Sequence, residues 1–197
     1  ITASRAKDAR DRDSKGKPSA KMLNYAMDTA RERCGGKAAP VYQNAAMRMG
    51  SEEEQFAAIE YMARTGRALS EAFFITTDDR KFGLSLDRWV DREAAIEVKT
   101  MVRSATLFKA MVEGDISEYR DQCVFALWVL RLQWVDLCLW APDLPNPLKV
   151  IRITRDEAEI QRLEDDMVAF DRLVCQYEAS LRKAMGTEPT AAPPWEA

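Results

Sequence analysis

The sequence predicts one α/β domain in which a central mixed β-sheet is flanked by helices. The chain has 197 residues, 47% of them hydrophobic and 31% charged, which suits a single compact core. Helical and strand periodicities follow one another in the order α-α-β-β-β-α-α-β-β-α, as in an α/β fold. No apolar run approaches the roughly 20 residues that a membrane-spanning helix needs, so we expect no membrane contact.

The first part of the chain predicts two helices after a charged segment. Residues 5–18 are rich in charge and poor in apolar residues, so we expect a mobile basic arm. Ser19 is a good N-cap for a helix that ends at Gly35-Gly36. A second helix is predicted over residues 41–65, because Pro40 and Gly66 flank it. Its expected buried side chains are Phe56, Ile59, Tyr61 and Met62.

Strand patterns begin after the second helix. Alternating residues at 73–77, 82–90 and 95–99, separated by polar turns, predict a β-meander. The later elements are two helices at about 104–113 and 117–131, two strands at 133–140 and 148–154, and a helix at about 155–185. The strand at 133–140 is nearly all apolar, so we expect it to be central. We therefore predict one domain over 1–185, followed by a Pro-rich tail at 186–197.

Histidine is absent, and this excludes several chemistries. Ser-His-Asp and Cys-His catalysis, His-ligated zinc and histidine pH switches are ruled out for this sequence.

The net charge of −3 conceals an uneven distribution of charged residues along the chain. Residues 1–48 hold 11 Lys and Arg against 5 Asp and Glu, whereas the remainder holds 18 against 27. A basic front and an acidic body suit a protein that binds a polyanion and holds cations, although ordinary solvated helices give the same composition.

The cysteines and the chain start indicate the compartment. The four cysteines form neither a CxxC motif nor a zinc spacing, so we expect reduced, mostly buried thiols in a cytosolic protein. The sequence begins at Ile1 without a signal-peptide pattern, and we expect the natural N-terminus to lie upstream.

An acidic pair and a lysine are predicted to converge on two neighbouring strands. Glu97 and Lys99 project from one face of their strand, whereas Val98 points into the core. The turn at 91–93 brings the strand that contains Asp87 back beside them. Carboxylates are hard oxygen ligands that suit Mg²⁺, and the Val98 carbonyl is a plausible third ligand. Lys99 would orient or deprotonate an attacking water.

The D-x9-E-x-K spacing of these residues is the PD-(D/E)xK nuclease signature. It predicts a restriction-endonuclease-like core. A strand face with alternating charges is also typical of solvent-exposed salt bridges.

Four flanking motifs strengthen the nuclease interpretation. They are Ile1-Thr2-Ala3-Ser4, the G-x3-E spacing of Gly50 to Glu54, Ser85-Leu86-Asp87, and Tyr119-x2-Gln122 followed by Trp128. They resemble the "ITAS", G-x3-E, S-P-D-G and Y-x2-Q-x-Q motifs of the lambda exonuclease (YqaJ-type viral recombinase) family. The resemblance covers nearly everything from Ile1 to about residue 185.

The resemblance implies a role for each matching residue. Thr2 and Ser4 would receive a 5′-terminal phosphate, as a helix start with free N–H groups also permits. Glu54 would be an acid of the active-site helix. Asp78 would be a further active-site acid, with Asp79 as the alternative, and Gln122 would complete the polar network. The basic residues expected to contact the DNA backbone are Arg5, Arg10, Arg12 and Arg88.

Two positions depart from the family pattern. The glycine that follows the motif aspartate is Arg88 here, and the second glutamine of the helix motif is Val124. The family's arginine before "ITAS" would lie ahead of Ile1.

The resemblance implies a Mg²⁺-dependent 5′-to-3′ exonuclease that resects linear duplex DNA and leaves 3′ overhangs for recombination. It also implies two Mg²⁺ ions with Mn²⁺ as a substitute, a ring-shaped homotrimer, a single-strand annealing protein as partner, and a phage-encoded enzyme in the bacterial cytosol. Two alternatives stay open: a restriction-type endonuclease, and a catalytically inactive DNA-binding module on the same fold.

Overall fold

A computed structural model describes residues 1–38, 45–91 and 93–187 of the chain, with the side chains of residues 45–49 and 51 left aside. The predicted helix start at 41–44 and the tail from residue 188 onward lie outside the described residues. No helix in the described part is both long and apolar enough to cross a membrane.

Six helices and seven strands make up the described fold. The helices are α1 (Ala6–Arg10), α2 (Ala20–Arg33), α3 (Ala45–Thr65), α4 (Ser104–Leu107), α5 (Ser117–Val129) and α6 (Glu157–Met185). A 3₁₀ turn at Ala3–Arg5 precedes α1, and a π-helical segment at Phe108–Val112 continues α4. The strands are β1 (Leu69–Glu71), β2 (Phe74–Thr76), β3 (Gly83–Ser85), β4 (Arg88–Val90), β5 (Ala94–Thr100), β6 (Trp134–Trp140) and β7 (Leu148–Thr154).

The main sheet is mixed and has the strand order β1-β4-β5-β6-β7. β5 and β6 are parallel, with Glu97 opposite Leu137, and the other neighbours are antiparallel. A crossover that contains α4 and α5 joins β5 to β6, as a parallel pair requires. The sequence predicts this α/β class and an interior position for the strand at 133–140, and both are confirmed.

Helices cover both faces of the sheet. Ala57, Ala58 and Tyr61 of α3 belong to one buried cluster with Ile96 and Val98 of β5. Side chains alternate along a strand, so Glu97 and Lys99 face the opposite side, where α5 lies. The sheet therefore presents Glu97 and Lys99 toward α5 and its apolar face toward α3.

The predicted buried side of α3 is wrong in part. Tyr61 is fully buried, but Phe56, Ile59 and Met62 are 50%, 58% and 36% exposed. The face that packs on the sheet contains Ala57 and Ala58, whose small side chains let the helix approach closely. The predicted strand at 82–90 is also two strands, because β3 pairs with β2 whereas β4 pairs with β1 and β5.

The chain divides into two compact units, residues 1–7 with 41–164 and residues 8–40 with 165–197. Both sheets belong to the first unit. In the second unit, Tyr25 of α2 stacks on Phe170 of α6 with ring centroids 4.9 Å apart. The boundaries of a single domain over 1–185 stay a prediction.

The segment predicted as a basic arm contains secondary structure. Residues 6–10 form α1, in which Ala6 and Ala9 are fully buried. The Asp13 carboxylate then accepts bonds from the backbone N–H groups of Lys15 and Lys17, at 2.8 and 2.9 Å. The alanines of this segment supply buried apolar contacts, which its highly charged composition did not lead us to expect.

Candidate active site

Asp87 lies directly beside β5, as the sequence predicts. It precedes the first residue of β4, and the backbone N–H of Val98 donates to its Oδ2 at 2.6 Å. The N–H and C=O of one residue in an extended strand point the same way. The Val98 carbonyl therefore also points toward the Asp87 side of β5.

Glu97 is the centre of a buried polar network. Its side chain is 7% exposed, and its Oε1 accepts from Lys99 Nζ and from Gln122 Nε2, both at 2.7 Å. Gln122 reaches Glu97 from α5, which is held by edge-on contacts among Phe82, Phe125 and Trp128. Both donors therefore bind Oε1 of Glu97, and neither of these two bonds involves Oε2.

These side chains line one cavity of about 290 Å³. Its lining residues are Thr2, Ala3, Ser4, Phe74, Leu84, Ser85, Asp87, Glu97, Lys99 and Gln122. Six of the predicted site residues therefore surround a common space, although up to 120 positions separate them in the sequence.

Thr2 and Ser4 occupy the start of a helical segment, as predicted. Thr2 Oγ1 and Ser4 Oγ are 3.4 Å apart, and the 3₁₀ turn begins between them. The Gly83 N–H donates to the Ile1 carbonyl at 2.9 Å, and this bond attaches the N-terminal segment to β3. The two hydroxyls thus reach the cavity that contains the carboxylates.

Burial and like charge shift the titration of the acidic pair. Burial, and then the negative charge of Glu97, raise the pKa of Asp87 to about 8. Burial also raises the pKa of Glu97, against the opposing effect of Lys99. Burial alone would lower the pKa of Lys99, but the charge and hydrogen bond of Glu97 raise it above its usual value. Lys99 is therefore an ammonium in this site.

The pair suits a hard divalent cation. Two carboxylates and a strand carbonyl are oxygen donors of the kind that Mg²⁺ selects, and a cation would relieve the repulsion that raises the pKa of Asp87. No group of three or more acidic or cysteine side chains in the described part is arranged to hold a metal ion. The protein ligands would be Asp87, Glu97 and the Val98 carbonyl.

Glu54 and Arg88 form an ion pair next to this site. Arg88 Nη1 donates to Glu54 Oε1 and to the Asp87 carbonyl. Glu54 extends from α3, and its negative charge contributes to the raised pKa of both Asp87 and Glu97. The predicted helix-borne acid is therefore close to the acidic pair, but its carboxylate is bound to an arginine.

Asp78 is not brought into the cavity. It is exposed in the turn between β2 and β3, whereas the alternative, Asp79, caps that turn by accepting from Thr77 Oγ1 at 2.6 Å.

Three of the arginines predicted to contact DNA also lie outside the cavity lining. In the second unit, Arg10 and Arg12 lie 2.8 and 3.8 Å from the carboxylate oxygens of Asp166. Arg5 ends the 3₁₀ turn and is half-buried outside the cavity lining.

Phe74 is a lining residue that sequence reasoning missed. The residue is 61% exposed, and its ring packs over Gly83, where an added Cβ would lie 2.6 Å from the ring. An exposed aromatic side chain at a cavity of charged groups suits a planar ligand. The sequence feature that could have indicated it is the pair Phe73-Phe74, followed by Gly83 on the strand that pairs with β2.

Cysteine burial differs from the expectation of mostly buried thiols. Cys123 and Cys138 are buried, Cys34 is half-buried and Cys175 is exposed, and all four are free. Burial raises the pKa of Cys123, so this thiol near Glu97 is an unreactive packing group.

Comparison with known proteins identifies a sequence family and related folds. A sequence profile of the YqaJ-like viral recombinase domain matches residues 1–133. No curated protein sequence matches the chain.

Solved structures resemble the chain over most of its length. The alkaline exonuclease LHK-Exo from Laribacter hongkongensis is 29% identical, covers 94% of this chain and 93% of its own, and superposes with a TM-score of 0.81. Its complex with dAMP is 28% identical over the same shares, with a TM-score of 0.80. A phage-related exonuclease from Haemophilus somnus 129PT, 14% identical over 92% and 96% of the two chains, has the same fold with a TM-score of 0.75.

Proposed function

The chain belongs to the YqaJ-like viral recombinase family, and on that premise we propose that it is a Mg²⁺-dependent exonuclease acting on linear duplex DNA. Its similarity to an alkaline exonuclease supports a nuclease role. The observation that favours this function most is the convergence of Asp87, Glu97 and Lys99 around one cavity.

Each group of the cavity has a distinct task in phosphodiester hydrolysis. Asp87, Glu97 and the Val98 carbonyl would hold Mg²⁺, or Mn²⁺ as a substitute. Bound there, the cation would polarise the scissile phosphate and make a nearby water more acidic. Lys99, kept as an ammonium by Glu97, donates hydrogen bonds that orient water and offset phosphate charge. Gln122 fixes the rotamer of Glu97.

We propose that digestion runs from 5′ to 3′ and starts at a 5′-phosphorylated end. The hydroxyls of Thr2 and Ser4 at the edge of the same cavity support this polarity, because they place anion-binding groups near the carboxylates. The relative solved with dAMP supports a nucleoside monophosphate as the product.

The biological setting is proposed from the family. The product would be a 3′ single-stranded overhang for recombination by single-strand annealing, with an annealing protein as partner, in the cytosol of a phage-infected bacterium. A homotrimeric ring around DNA is proposed as well. The exposed apolar residues Phe56, Ile59 and Met62 of α3 support an assembly, because they form a row on one helix face.

A substrate panel tests the proposed function. The protein is incubated with Mg²⁺ and three duplexes: linear with 5′-phosphate, linear with 5′-hydroxyl, and covalently closed circular. We expect fast release of nucleotides from the first, slower release from the second and none from the circle. An Asp87→Asn variant serves as the inactive control.

Each alternative outcome identifies a different protein. Cutting of the circle would replace the exonuclease by a restriction-type endonuclease on the same fold. Binding of DNA without digestion of any substrate would indicate an inactive DNA-binding module.

A further inference from the structure

The ion pair between Arg88 and Glu54 lies beside Asp87 and affects how many metal cations the site can hold. Both side chains are 27% exposed, and the Arg88 guanidinium bonds the Glu54 carboxylate and the Asp87 carbonyl at once. Arg88 directly follows Asp87 in the chain, so the backbone fixes its charge next to the acidic pair.

This pair requires the side chain at position 88. The S-P-D-G motif that Ser85-Leu86-Asp87 resembles has glycine there, and glycine has no group to reach Glu54. With arginine, the Glu54 carboxylate is paired with a guanidinium group.

The charges of the site suit one divalent cation rather than two. Once a bound cation has displaced the proton of Asp87, three carboxylates (Glu54, Asp87, Glu97) lie near two basic side chains (Arg88, Lys99). One divalent ion turns this net charge of −1 into +1, which a phosphodiester neutralises. A second ion would leave an excess of positive charge in a partly buried cavity, where unpaired charge is costly.

We propose that this chain binds a single divalent cation, held by Asp87, Glu97 and the Val98 carbonyl, and that Arg88 takes the place of a second ion by occupying Glu54. The inference rests on the proposed function, since it concerns the cation of that site. It differs from the two ions that the family resemblance implies.

Counting bound Mn²⁺ in the absence of DNA tests the proposal. Metal-free full-length protein is titrated with MnCl₂, and free Mn²⁺ is measured by electron paramagnetic resonance. We expect one tightly bound ion per chain for the wild type and two for Arg88→Ala. Adding Glu54→Gln to Arg88→Ala should return the count to one.

Matched controls keep the result interpretable. Arg67→Ala removes the arginine of an exposed ion pair with Asp91 in the same unit and should leave one ion bound. Arg88→Gln keeps most of the side-chain length without the charge and replaces Arg88→Ala if that variant does not fold.

The outcomes separate this proposal from the proposed function. Two ions in the wild type would overturn the single-ion proposal while leaving a metal-dependent nuclease intact, and so would one ion in the folded Arg88 variants. Absence of any bound ion in the wild type, together with absence of DNA digestion, would instead contradict the proposed function itself.

Discussion

At the residue scale, the site is defined by what surrounds the Asp87 carboxylate. Burial and the charge of Glu97 hold its pKa at about 8, and the Val98 N–H fixes its orientation. A divalent cation and a proton therefore compete for this carboxylate.

The metal-free protein should lose stability as the pH rises. The pKa of Asp87 is near 4 in the unfolded chain and about 8 in the folded one. The folded state therefore keeps a proton that the unfolded state releases, and stability falls between these two values. We expect the melting temperature in EDTA to fall from pH 6 to 8.5, and Mg²⁺ to raise it most at the upper end. Asp87→Asn should flatten this dependence, and a wild-type stabilisation by Mg²⁺ that is independent of pH would contradict the assignment.

Phe74 should contribute to DNA affinity through stacking. Replacing an aromatic side chain that stacks on a base by alanine costs about 1–3 kcal/mol. We expect Phe74→Ala to weaken binding of a linear duplex in Ca²⁺, measured by fluorescence anisotropy, and Phe74→Tyr to retain it. Equal affinity of Phe74→Ala and the wild type would exclude the ring from the DNA-binding surface.

The contacts that sequence could predict are those set by local periodicity. Alternation along β5 and a short turn were sufficient to join Asp87, Glu97 and Lys99. The Arg88–Glu54 pair could not be foreseen, because it depends on how α3 packs 34 residues earlier in the chain. Asp78 was predicted in the site from resemblance, but the turn geometry exposes it.

At the element scale, α3 is attached to the sheet by polar as well as apolar contacts. Tyr61 Oη donates to Asp136 Oδ2 at 2.8 Å, and Arg152 bonds both oxygens of the same carboxylate at 2.8 Å. Trp140 Nε1 also donates to Glu53 at 2.8 Å, one residue before Glu54. These contacts position the helix that presents Glu54.

The phase of α3 illustrates why burial is harder to predict than helix formation. Flanking Pro40 and Gly66 indicated the helix, whereas its apolar residues lie on more than one face. Choosing the large residues placed Phe56 and Ile59 inside, but alanines form the contact with the sheet. Close packing against the sheet decides which face of α3 is buried, and the hydrophobicity of the residues alone does not reveal that face.

Tyr61→Phe should destabilise the fold without changing catalysis. Burial raises the pKa of Tyr61, so its hydroxyl stays protonated and donates to Asp136, which is 1% exposed. Loss of this donor should cost about 1–3 kcal/mol. Urea unfolding measures the change, with the half-buried Tyr177→Phe as control. An unchanged free energy of unfolding would show that Asp136 is satisfied by Arg152 alone.

At the scale of the whole molecule, the exposed row on α3 is the feature that bears on assembly. Phe56, Ile59 and Met62 are 50%, 58% and 36% exposed. Charges on this row should prevent apolar contacts between copies of the chain.

We therefore expect the double variant Phe56→Glu/Ile59→Glu to be monomeric and the wild type to have three times the chain mass by light scattering. Met185→Glu, at a 55% exposed apolar residue of α6, should retain the wild-type mass. A wild-type monomer, or a trimer that persists in the double variant, would contradict an interface on α3.

Digestion of a linear 5′-phosphorylated duplex by the wild type and by Lys99→Ala tests the nuclease assignment most directly. We expect the wild type to release nucleotides in Mg²⁺ and to stop in EDTA. Lys99→Ala should bind DNA ends with similar affinity but digest them at least about 100-fold more slowly, because it lacks the ammonium that we propose stabilises charge at the phosphate. Near-normal digestion by Lys99→Ala, or wild-type digestion that EDTA leaves unchanged, would contradict the assignment.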